Sequence, residues 1–95
     1  MLIQTPYKAG DIISFKTTSG EEVIARLDEE KSNKLKVSKP MALTATQQGI
    51  GLVPFTFTVN PEASIEINMN AVLFVAKTDD EMGKQYLQST TGIAV

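Results

Sequence analysis

Hydrophobic and polar residues alternate along most of this chain with the two-residue period of strands, not the 3.6-residue period of helices. Between Asp11 and Thr17, Ile13 and Phe15 fall on one side and Ser14 and Lys16 on the other. Thr18-Ser19-Gly20-Glu21 reads as a turn, with Gly20 free to take positive φ. Val23, Ala25 and Leu27 then alternate with Ile24, Arg26 and Asp28 in a second strand, which runs into the charged stretch Asp28–Lys34 and a turn at Ser32-Asn33. Leu35, Val37, Met41, Leu43 and Ala45 share parity in a third, interrupted by Lys39-Pro40. Proline cannot donate to a ladder, so a bulge or strong bend is expected there.

Gln47–Gly51 is a flexible hairpin tip, after which Val53, Phe55, Phe57 and Val59 line one face of a fourth strand. Asn60–Ala63 turns or kinks the chain. The fifth strand begins with Ile65 and Ile67, pauses at Asn68-Met69-Asn70 and ends in the apolar run Val72–Ala76. Such a run predicts burial on both faces, in a strand that closes a barrel or meets another subunit. The period then changes. Thr78-Asp79-Asp80-Glu81 fits a capping box opening a helix over about residues 79–89, with Met82, Tyr86 and Gln85 or Leu87 as its apolar stripe. About three turns are too few to stand alone, so this helix must dock. Residues 1–11, with Pro6 and Gly10, read as an irregular lead-in.

The expectation is one mainly β domain over residues 1–95: a five-stranded, strongly bent, SH3-like open barrel over about residues 11–77, with a short C-terminal helix. Ninety-five residues that are 42% hydrophobic can build one core but not two. The chain contains neither cysteine nor histidine, which removes disulfides, thiolate metal sites and the commonest general base. Net charge is −2, and the balance is uneven. Residues 28–40 carry a local +1 from Lys31, Lys34, Lys36 and Lys39 against Asp28, Glu29 and Glu30, while later segments are acidic. Any basic patch is therefore small, unlike the broad excess common in nucleic-acid binders. The longest apolar run, Ala71–Ala76, is too short to span a bilayer, and the N-terminus lacks signal-peptide features. The expected location is the cytoplasm.

Catalytic chemistry has little to draw on. Glu21-Glu22 and Asp79-Asp80 are adjacent pairs; strand neighbours point to opposite faces, and helix-start electrostatics suffice for the second pair. Ser38-Lys39 has no supporting context, and Gly49-Ile50-Gly51 is too short for a phosphate-binding loop. These residues predict no catalytic site, no metal and no cofactor.

Phe15–Asp28 is similar to the first half of the opening motif of the Sm/LSm family, an apolar strand, a Gly turn and a strand ending in Asp, and Asn33–Val37 to its second half. Ile67–Val75 aligns without a gap with the family's second motif. The resemblance covers about residues 12–76 and is one of pattern. It implies a ring-forming homo-oligomer of about five to seven subunits that binds RNA. Four departures stand out: Asn68-Met69 replaces the family's Arg-Gly pair, Ser32 its base-stacking residue, Asp28 and Asn33 are one residue further apart, and the helix is C-terminal instead of N-terminal. In this the chain looks more like the divergent Sm-like proteins of tailed bacteriophages, which would place it in the host cytoplasm.

Carried over, the resemblance implies a nucleic-acid site at Asn33 and Asn68, with Lys31 or Lys34 supplying charge. The apolar edge material nominates Val53, Phe55, Phe57, Val72 and Phe74 for a subunit interface. Plainer roles stand beside these. Asn33, Asn68 and Asn70 also suit turn chemistry, the lysines also suit a mixed-charge surface with Asp28, Glu29 and Glu30, and the phenylalanines also suit the core. A structural or assembly protein that uses its barrel only for protein contacts is the alternative to an RNA binder.

Overall fold

The strand alternation produces an antiparallel sheet in the computed structural model, which describes residues 7–56, 58–60 and 62–91. The strands are β1 (Ile12–Thr17), β2 (Glu22–Lys31), β3 (Lys34–Thr46), β4 (Gly49–Pro54), β5 (Ser64–Asn68) and β6 (Val72–Lys77), followed by helix α1 (Asp80–Thr91). The lateral order is β4-β3-β2-β1-β6, and β5 also pairs with β3. The extra strand relative to the expected five comes from the pause at Asn68-Met69-Asn70. Met69–Ala71 is a 3₁₀ turn, so β5 pairs with β3 before the turn and β6 pairs with β1 after it. The fourth strand is also shorter than the alternation through Val59 suggests. It ends at Pro54, with one further bond in the same register, from the Phe55 N–H to the Pro40 carbonyl at 3.0 Å.

β3 is the strand that bends the sheet. Residues 34–38 pair with β5 and residues 41–46 pair with β4, on the same side of the strand. On its other side Arg26 faces Ser38 and Ile24 faces Met41, so Ala25 alone opposes Lys39 and Pro40. This two-against-one count is the expected bulge, and Lys39 sits in it at φ 52°. A second irregularity makes Asp28 the unmatched residue of β2. Its carboxylate accepts from Ser64 Oγ at 2.7 Å and Ser38 Oγ at 3.2 Å, tying β2 to β3 and β5.

The concave face holds the core: Ile13, Phe15, Val23, Ala25, Leu27, Leu35 and Val37 are all at most 1% exposed. Ile24 has the opposite parity yet is also buried, because α1 covers the outer face. The start of α1 is tied to β1 through the Thr78 N–H on the Ile12 carbonyl and the Ser14–Thr78 hydroxyl pair at 2.8 Å. Asp79, not Thr78, is the cap: its carboxylate accepts from the N–H groups of Glu81 and Met82, while the Thr78 hydroxyl is spent on Ser14. Met82, Gly83, Tyr86 and Thr90 form the inward face of the helix, and Tyr86 is its buried anchor. Gln85 and Leu87 lie on the exposed side.

Candidate nucleic-acid interface and assembly edges

The sheet register brings the two halves of the expected nucleic-acid site together. Asn33 closes the β2–β3 turn, and Lys34 pairs with Asn68 at the end of β5. The Met69 N–H donates to the Asn33 carbonyl at 2.9 Å, locking the turn to the start of the 3₁₀ segment. Lys31 reaches the same corner from the end of β2. Asn33, Asn68, Lys31 and Lys34 are all exposed there.

Two features reduce what this corner can do. Asn68 Oδ1 accepts from the Asn70 N–H at 2.8 Å, so the side chain caps the 3₁₀ turn, and its amide donors and one remaining lone pair are what it can offer a ligand. Glu66 stands between the lysines, with Oε2 3.1 Å from Lys31 Nζ and Oε1 3.5 Å from Lys34 Nζ. The Lys31 hydrogen bond and charge, followed by the charge of Lys34, hold the Glu66 carboxyl below its ordinary range. Glu66 in turn raises the Lys31 ammonium. The local partner of these cations is therefore a carboxylate from β5, rather than only the neighbouring acids of β2. Alternation alone did not nominate Glu66, because its position between the lysines depends on the β3–β5 register.

Ser38, Lys39 and Asp79 each make a contact within the fold. Ser38 donates its hydroxyl to Asp28, Lys39 Nζ lies 3.9 Å from Glu62, and Asp79 caps α1. Tyr86, expected only as part of a helix stripe, has a strongly perturbed acidity. Burial pushes its hydroxyl up to about 12.

The interface candidates divide. Val53 on β4 and Phe74 on β6 are 38% and 48% exposed, joined by Ile50 at 56% and Leu73 at 63% on the same strands. Val72 and Phe55 instead pack partly against the core of their own subunit. Phe57 lies outside the described residues. The burial expected on both faces of Val72–Ala76 is absent within one chain, because β6 pairs only with β1 among the described residues. At the other end, β4 and β5 likewise pair only with β3 among the described residues. The sheet is an open barrel with apolar side chains at both lateral ends.

No protein-family model matches the chain, and no curated protein matches its sequence. Solved structures share its architecture. A heptameric archaeal Sm protein aligns with a TM-score of 0.53 at 11% identity, covering 76% of this chain and 91% of that one. The SmAP1 heptamer of P. aerophilum aligns with a TM-score of 0.51 at 12% identity, covering 76% and 84%. At such identities the likeness is one of fold: this chain has an Sm-like fold, a bent antiparallel sheet, here with a C-terminal helix.

Proposed function

We propose that this chain is a non-catalytic Sm-like module that assembles with copies of itself into a closed ring. The observation that carries the reading is the pair of unpaired apolar edges at opposite ends of one sheet. β6 offers Leu73 and Phe74, and β4 offers Ile50 and Val53. Unpaired ladder groups and exposed apolar side chains both favour strand addition. Because the two edges differ, each copy joins the next head to tail, and such contacts either close into a ring or run on as a filament. The heptameric solved relatives support closure. Light scattering should give one discrete mass of about five to seven copies at micromolar concentration. Phe74→Lys should reduce it to a folded monomer. A wild-type monomer would refute the ring.

The corner of Asn33 and Asn68 supports a use for the ring. Asn amides read base edges without charge, so the second part of the proposal is weak binding of U- or A-rich single-stranded RNA, multiplied by repetition around the ring. The convergence of Asn33, Asn68, Lys31 and Lys34 supports it. The Asn33→Ala/Asn68→Ala variant should lose binding with the oligomer intact. Glu66→Gln should strengthen binding and steepen its salt dependence by about one phosphate equivalent per site. If wild-type and Glu66→Gln rings both ignore RNA at low salt, the structural or assembly role, phage-derived in the resemblance above, becomes the better account.

A further inference from the structure

The ring reading leaves open what sets the angle between one copy and the next. That angle is the rotation between the entering edge, β6 on β1, and the leaving edge, β4 and β5 on β3. In a ring of about seven copies, one subunit more or less changes it by only about 6–9°. The place in the sheet where such a change is available is the bend of β3. Residues 34–38 carry β5 and residues 41–46 carry β4; between them Lys39 has no partner in either ladder, and Pro40 is held to the β4 side only by the Phe55 N–H on its carbonyl. Lys39 is left-handed at φ 52°, a conformation that a side-chain-bearing residue keeps only where its surroundings impose it.

The surroundings are uneven. A cleft of about 440 Å³ opens between the bend and the last turn of α1, among Pro40, Met41, Pro54, Ile65, Ser89 and Thr90, so packing there does not fix the bend. One turn earlier in the same helix stands Tyr86, 1% exposed. Its hydroxyl donates to the Lys39 carbonyl at 2.7 Å and lies 3.3 Å from the Ser38 carbonyl. The other end of the same helix is fastened to β1 by Thr78 and capped by Asp79. We infer that α1 is a strap from β1 to the bend of β3 that sets the angle between the two assembly edges, and thereby the subunit number, with Tyr86 as its positioning residue. The consequence for subunit number rests on the ring reading. The clamp on the bend does not.

The experiment compares wild type with Tyr86→Phe, and with Gln88→Ala as an exposed control on the same helix. Native mass spectrometry should give one subunit number for wild type and Gln88→Ala, and a spread over neighbouring numbers for Tyr86→Phe. A merely structural role would lower the melting temperature and leave the number unchanged. Hydrogen exchange of the Phe55 amide, which is bonded to the Pro40 carbonyl, reads the clamp without reference to assembly. It should quicken at least about tenfold in Tyr86→Phe, relative to core amides of β2. A single unchanged subunit number in an assembled Tyr86→Phe overturns the inference, as does unchanged Phe55 exchange. A monomeric wild type with quickened Phe55 exchange overturns the ring and retains the clamp. If Tyr86→Phe does not fold, Pro40→Ala frees the bend without touching the helix. It should broaden the subunit number, and an unchanged number again overturns the inference.

Discussion

The middle of this sheet and its two ends are built by the same alternation and come out differently. In β1, β2 and β3 every strand has a neighbour on both sides, Phe15 and Leu27 are buried on the concave face, and Ile24 is buried on the outer face beneath α1. In β4 and β6 each strand has one neighbour among the described residues, and Ile50, Val53, Leu73 and Phe74 are exposed. The apolar content of the ends is no lower. What they lack is a partner strand and a covering helix. The contrast separates two jobs: the middle holds the monomer together, and the ends hold surface that a single copy does not cover.

That separation can be broken at either region. The largest effect on stability belongs to the middle. Phe15→Ala removes a fully buried ring and should cost about 3–5 kcal/mol in urea unfolding, whereas Phe74→Ala should leave the monomer nearly as stable and weaken only its association. Equal costs at the two sites would end the distinction.

Alkaline titration should show the next effect. The Tyr86 hydroxyl ionises at about 12 in the folded state and at about 10 when unfolded. Below pH of about 10 both states keep the proton, so the stabilisation is complete; as pH rises toward about 12 only the unfolded state loses it, and unfolding becomes easier. Tyrosinate absorbance followed against pH should show Tyr86 ionising last and together with loss of structure. Ionisation near pH 10 with the fold intact would mean that α1 does not cover the outer face tightly.

Smaller again, Asp79→Ala should cost about 1 kcal/mol through the lost helix cap, with little change in association. Thr78→Ala should act differently, by separating the helix start from Ser14, again at about 1 kcal/mol. Reversing the loss between the two variants in amide exchange at Glu81 and Met82 would reassign the cap.

Much of this was legible in the residues. Alternation located β1, β2 and β3, Lys39-Pro40 announced the bend, and the acidic start of α1 was plain. The motif residues at Asn33 and Asn68 fell at corners that the fold joins. What was not legible depended on register and on neighbours. Thr78 looks as good a cap as Asp79 until Ser14 is seen to take its hydroxyl. Val72–Ala76 reads as buried on both faces because apolar content cannot tell a central strand from an edge that awaits a partner. Glu66 looked like an ordinary exposed strand residue, and only the β3–β5 pairing sets it between Lys31 and Lys34. Phe55 shares parity with Val53, but it lies beside Pro40 at the bend of β3, where it packs against its own core.

Because the chain has no cysteine, edge contacts can be read directly by chemistry. A variant carrying both Val53→Cys and Phe74→Cys, treated with a short bismaleimide, should yield a covalent ladder that stops at the subunit number of the intact ring. Either single variant alone should yield monomer, since head-to-tail contacts bring unlike edges together. Strong dimers from a single-cysteine variant would show like edges meeting, and no cross-linking in the double variant would show that the edges do not meet at all. Either result would contradict assembly through the two bare ends of the sheet.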